Sequence, residues 1–264
     1  MTRRLWAIVA IAVWCLSLLG VPDAKADEQV DLALVLAVDV SRSMDPEEQE
    51  LQRQGFVEAF RSPLVHEAIR SGMLGRISVT YMEWSGDTQQ IVVVPWTVIE
   101  GAEGALEFAD RLSGSPINRI FQTSISGAIQ AASGLLDKPG AEPLRKVIDV
   151  SGDGPNSSGR PPNLARDEAV ARGITINGLP IMLKRPSGFG DMENLDLYYR
   201  DCVIGGPGAF LVPIRERQQF AEVIRTKIIR EIAGLESNPL IQRIQTEPPT
   251  DCSNRRAYYW NQGP

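Results

Sequence analysis

Histidine is almost missing from this chain: His66 is the only one in 264 residues. Most routes to hydrolysis go with it. A Ser-His-Asp or Cys-His arrangement needs an imidazole beside its nucleophile, and no Gly-x-Ser-x-Gly elbow occurs. A catalytic zinc site needs a richer set of imidazoles. Cysteine is scarce too, at three, too few with a single histidine for a zinc module. There is no Gly-rich phosphate loop, no internal repeat and no low-complexity stretch. Basic runs are also lacking and the formal charge is −6. That balance argues against nucleic acid, or an anionic membrane surface, as partner.

The longest apolar run, Leu5 to Val21, follows Arg3 and Arg4 and precedes Ala24-Lys25-Ala26. That order predicts a secretory signal peptide over residues 1–26, cut after Ala26, with an apolar part short for a membrane span. An uncleaved anchor helix is the alternative. Cleavage is expected to leave a chain exported from the cytoplasm, periplasmic or secreted, with no stable membrane span. It removes three positive charges and one negative, moving the formal charge from −6 to −8. Cys202 and Cys252 remain, so only one intramolecular pairing exists. An oxidising compartment favours a disulfide between them, tying a polar tail, residues 234–264, to the domain before it. Two separate buried thiols are the alternative, because spacing along a sequence does not fix distance in space.

The stretch Leu34-Val35-Leu36-Ala37-Val38-Asp39-Val40-Ser41-Arg42-Ser43 organises the rest. An unbroken apolar run ending in an acid reads as a strand buried on both faces, in the middle of a parallel sheet. Its polar end then lies at the carboxyl edge, where open α/β folds place their ligands. Asp45-Pro46-Glu47-Glu48 reads as a helix start, with Asp45 as N-cap and Pro46 at the first position. Residues 77–84 and 90–96 form two β-rich runs around Ser85-Gly86-Asp87-Thr88, which predicts an antiparallel hairpin. Further strands are expected over residues 144–150, 174–183 and 209–213. Helices are expected over 101–112, 127–136, 163–172 and 218–233. The alternation predicts a doubly wound α/β domain over residues 27–233, with helices on both faces of a mostly parallel six-stranded sheet that has one antiparallel edge strand. Asp149, inside a buried strand pattern, reads as a paired structural acid. Asp191, Glu193 and Asp196 read as a solvated loop.

Three segments place oxygens at matching points of that topology. Asp39, Ser41 and Ser43 follow the first long strand, Thr123 precedes a helix, and Asp153 ends a later strand within Ser151-Gly152-Asp153-Gly154. Carboxylates and hydroxyls are hard donors, suited to a hard cation such as Mg²⁺. Capping and turn roles are the plain alternative for each residue taken singly.

Together, Asp39-Val40-Ser41-Arg42-Ser43, Thr123 and Asp153 resemble the metal-ion-dependent adhesion site of the von Willebrand factor type A (vWA) domain. The whole pattern, over about residues 31–233, is also similar to a bacterial family of exported vWA proteins of unknown function. The resemblance implies that the hydroxyls of Ser41, Ser43 and Thr123 ligate Mg²⁺ directly. It assigns Asp39 and Asp153 to holding the ion's waters and those hydroxyls. Mn²⁺ and Ca²⁺ fit the same oxygen set. It further implies a binding module, not an enzyme, which captures an Asp or Glu side chain of a partner protein through the cation. A Mg²⁺-dependent hydrolase or phosphoryl-transfer enzyme is the rival class, and a scaffold that has lost its cation a third. One departure stands out: Gln122 precedes Thr123 where the superfamily often has glycine, so Ser124 competes with Thr123 for the ligand role.

Overall fold

The computed structural model describes residues 28–183, 192–234 and 250–253. The signal-peptide segment, Asp191 and most of the tail, including Tyr258-Tyr259-Trp260, lie outside the described residues.

The central strand is β1, Leu32–Asp39, buried at every position. Its apolar character follows from its place. Helices cover both faces and strands flank both edges, so neither side chains nor backbone meet water. Around it run β2 (Ile77–Trp84), β3 (Gln90–Ile99), β4 (Lys146–Gly152) and β5 (Ile174–Pro180). The sheet order is β3-β2-β1-β4-β5. All pairs are parallel except β2–β3, which is antiparallel, as the hairpin signal predicts.

Alternation along β1 feeds two cores. Leu32, Leu34, Leu36 and Val38 pack with Phe56, Phe60, Phe108, Ile224 and Ile228. These come from α1 (Pro46–Arg61), α3 (Ala102–Ser113) and α6 (Phe220–Ala233), with α2 (Pro63–Arg70) beside them. Ala33, Val35 and Ala37 pack on the opposite face with Ile125, Ile129, Ala165 and Tyr199. That layer is built by α4 (Ile125–Leu135), α5 (Pro162–Ala171) and a helical turn that runs into a π-helical one, Tyr199–Val203.

Among the described residues the sheet has five strands, not the six expected from the sequence. The segment expected as the sixth does lie along β5, but only as isolated bridges, Gly178↔Leu211 and Ile181↔Ile214. Gly178 N donates to Phe210 O at 3.0 Å, Val212 N to Gly178 O at 3.0 Å, and Ile214 N to Pro180 O at 2.9 Å. The next donor toward this segment is the nitrogen of Pro180, which carries no hydrogen, so one rung of the ladder cannot form.

Cys202 and Cys252 are joined by a disulfide, with Cα atoms 5.5 Å apart. Asp149 is a paired structural acid, as expected: it meets Lys227 of α6 at 2.5 Å, and Lys227 also meets Glu231 at 2.6 Å. Asn177 Nδ2 donates to the second oxygen of Glu231 at 2.5 Å. Asp196 pairs with Arg215 at 2.7 Å.

Candidate metal centre

β1 ends in Asp39 because the chain there leaves the sheet at its carboxyl edge and turns into α1. Asp39 Oδ1 accepts the backbone N–H of Ser41 at 2.7 Å, which folds the turn back on its own carboxylate. Ser41 Oγ lies 2.7 Å from Ser43 Oγ, and Ser43 Oγ donates to Asp153 Oδ1 at 2.5 Å. Thus four of the five residues singled out by the sequence form one hydrogen-bonded run, through the Ser41 backbone N–H at its Asp39 end and through hydroxyls at its Asp153 end, drawn from the ends of β1 and β4. Asp45 then caps α1: its Oδ1 accepts Glu48 N at 2.8 Å, while Glu48 Oε2 accepts Asp45 N at 2.9 Å.

Thr123 reaches the same edge through its backbone. Ile120 bridges Ser41, with Ile120 N donating to Val40 O at 3.3 Å. Thr123 N donates to Ser157 Oγ at 3.2 Å, and Thr123 O accepts Ser157 N at 2.8 Å and Ser158 N at 3.1 Å. The loop before α4 is therefore tied to the β1 loop on one side and the β4 loop on the other. Ser85 and Glu83 of the hairpin steady it. Ser85 Oγ lies 2.7 Å from both Phe121 O and Gln122 O, and Glu83, paired with the buried Arg53, accepts Asn118 N at 3.1 Å.

Ser124 has a different duty. Its hydroxyl caps α4, accepting Gly127 N at 3.1 Å, and donates to Asp87 Oδ1 at 3.1 Å. Gln122, in the place where glycine was expected, keeps the backbone conformation that glycine favours, with φ 72°.

Three neighbours of the centre gave no legible signal as site residues. Gln52 Nε2 donates to Asp39 O and Gln49 Nε2 to Ser41 O, each at 3.1 Å, so α1 holds the β1 loop from behind. Tyr199 is fully buried, and its ring crosses Gly178 and Gly152. A Cβ on Gly178 would lie 2.7 Å from Tyr199 Cδ1, and one on Gly152 would lie 3.0 Å from its hydroxyl and 2.9 Å from Asp39 Oδ2. Two glycines on adjacent strands thus clear a slot that carries the phenol to Asp39. Glycine inside a strand is the sequence mark of such a close approach.

The electrostatics match a cation of the proposed type. Asp39 is fully buried, its Oδ2 has no hydrogen-bond partner, and it forms no ion pair among the described residues. Burial, and then the neighbouring Asp153 carboxylate, push its pKa up to about 8. An ionised carboxylate in such a place is costly without a compensating charge. The donors present are all oxygens, two carboxylates and two hydroxyls, which fits a hard divalent ion. His66 is elsewhere, in α2, its Nε2 2.8 Å from Phe60 O.

Known structures share this fold. A pilus adhesin, SpaC from Lactobacillus rhamnosus GG, superposes with TM-score 0.57 at 12% identity, covering 78% of this chain and 31% of the adhesin. Proximal thread matrix protein 1 from the mussel byssus, in a structure with a zinc-occupied MIDAS motif, gives 0.53 at 14% identity, covering 79% and 49%. A von Willebrand factor type A protein from Catenulispora acidiphila gives 0.52 at 14% identity, covering 77% and 43%. This chain therefore spans half or less of each of these proteins. No curated protein matches the sequence. A family model described as "Protein of unknown function (DUF1194)" matches residues 29–236. With that match over most of its length and a vWA-type fold, the chain belongs to the DUF1194 family.

Proposed function

We propose that this protein is an exported, divalent-cation-dependent binding module that captures an acidic side chain of a partner protein. The observation that carries the reading is the hydrogen-bonded run Asp39–Ser41–Ser43–Asp153 at the carboxyl edge, with a buried carboxylate oxygen of Asp39 left unpartnered. Ser41, Ser43 and Thr123 are the direct ligands, and Asp39 and Asp153 the carboxylates behind them. Thr123 is preferred over Ser124 because the Ser124 hydroxyl is already occupied by its cap and by Asp87.

Mg²⁺ suits the oxygen set, and when bound it supplies a positive centre that accepts a carboxylate in place of one of its waters. The chain's own residues make this selective. Gln49 and Gln52 fix the β1 loop, and Asp39 and Asp153 orient the serine hydroxyls. Neutral hydroxyls facing outward leave the ion's charge for the guest instead of quenching it. A zinc-occupied MIDAS in the mussel protein, and the adhesin among the structures of the same fold, agree with this reading. Export is consistent with the disulfide, a bond that persists in oxidising compartments.

The test is thermal melting with Mg²⁺, Mn²⁺ or Ca²⁺ against EDTA. The unaltered chain should melt several degrees higher with its cation, in line with linkage at saturating ligand. Asp39→Ala should abolish the difference. A chain whose melting ignores all three cations would sink the proposal.

A further inference from the structure

We propose that Arg42 and Phe121 form a second contact beside the metal centre, which selects partner segments carrying a second carboxylate a few residues from the captured one. The inference rests on the metal-dependent capture proposed above and names the partner more narrowly.

The backbone dictates the pair. Ser41 and Ile120 are bridged in parallel, so the next residue on each strand, Arg42 and Phe121, is brought alongside the other. The Arg42 guanidinium lies over the Phe121 ring, 3.5 Å from its centroid. Phe121 is 60% exposed, one of the most exposed large apolar side chains among the described residues. Arg42 sits between the two serines of the centre, and Phe121 two residues before Thr123, so the pair forms part of the rim.

Arg42 is exposed and forms no ion pair among the described residues, unlike Arg61, Arg76, Arg160 and Arg172, which each meet a carboxylate. Arg119, also exposed, donates to Met44 O at 3.1 Å and adds a second positive charge to this side of the rim. A guanidinium held over an aromatic face loses conformational freedom without spending its N–H donors. Those donors match a carboxylate bidentately. An aromatic plate carrying an unpaired arginine is also the composition of an interface anchor. The charge at this rim thus complements an acidic segment, on a molecule whose overall charge is negative and would repel one elsewhere.

The experiment uses fluorescein-labelled Gly-Ser peptides with blocked ends and the full chain in Mg²⁺. One peptide carries a single Glu; the others carry a second Glu two, three or four residues away. The best two-acid peptide should bind about tenfold tighter than the one-acid peptide, the gain expected of one charged hydrogen-bonded contact. In Arg42→Gln that ratio should fall to near one, and Phe121→Ala should lower it as well. Arg42→Glu should instead prefer a peptide with Lys in the second position, a reversal that misfolding does not produce. A ratio near one in the unaltered chain, or one that survives Arg42→Gln, overturns the inference. Cation-dependent melting without any peptide binding overturns it together with acid capture, while melting that ignores cations removes the metal reading beneath both.

Discussion

At the scale of single residues, Gln122 shows a conflict between backbone and side chain. It is the one described residue other than glycine with positive φ, at 72°. A side chain there costs about 1–2 kcal/mol relative to glycine, partly offset by glycine's larger entropy loss on folding. Gln122→Gly should therefore stabilise the chain by about 0.5–1 kcal/mol, read from urea unfolding midpoints. A loss of stability would mean that the glutamine holds the loop through its side chain. The sequence marked Gln122 only as a departure from the resembling superfamily, and the positive φ came to light with the structure. Asp39, Ser41, Ser43 and Asp153 were legible because each follows an apolar strand whose direction is set by pattern alone. Tyr199, Gln49 and Gln52 were not. Their positions depend on contacts across the fold, and a glutamine on a helix face gives no sign of which loop it will hold.

At the scale of elements, the buried charges between β4, β5 and α6 make folding depend on pH. Glu231 shares Lys227 with Asp149 and accepts from Asn177. Burial, with the Asp149 charge adding to it and Lys227 opposing, pushes the Glu231 carboxyl up to about 6 from an ordinary 4.5. The folded chain thus keeps a proton that the unfolded chain has released. The contribution is fully present below 4.5 and is lost as pH rises through about 6, amounting to something on the order of 2 kcal/mol. Glu231→Gln should flatten this fall, as judged by unfolding free energies of both proteins at about pH 4.5 and 6.5. An equal slope in the variant would assign the dependence elsewhere. Helix starts and the hairpin were readable from the sequence, because Asp45-Pro46 and Gly86-Asp87 act locally. The loss of the sixth strand was not. Residues 209–213 have strand character, but the missing rung belongs to Pro180, on the neighbouring element.

At the scale of the molecule, the disulfide closes the chain over a separation of 50 residues. Such a loop stabilises by about 4 kcal/mol in the chain-entropy model. Asp201 adds to this anchor, accepting Thr250 N at 2.9 Å while Arg200 holds its carboxyl down to about 2. Reduction should therefore lower the unfolding free energy by up to about 4 kcal/mol. It should also loosen the turn that carries Tyr199, three residues before Cys202. Denaturation with and without reductant measures the first effect, and a change below about 1 kcal/mol would place the anchor in Asp201 and Thr250 instead. The pairing was foreseeable by counting thiols; the tyrosine beside it was not.

The strip from Phe210 to Ile214 has a further effect, on how molecules meet. Along it, the groups that do not face β5 belong to Leu211 and Pro213, by the alternation of an extended chain. Pro213 has no hydrogen to offer there. A neighbouring copy seeking a template for strand addition would find this side already covered by an incomplete and donor-poor border, so crowded chains cannot readily zip together through it.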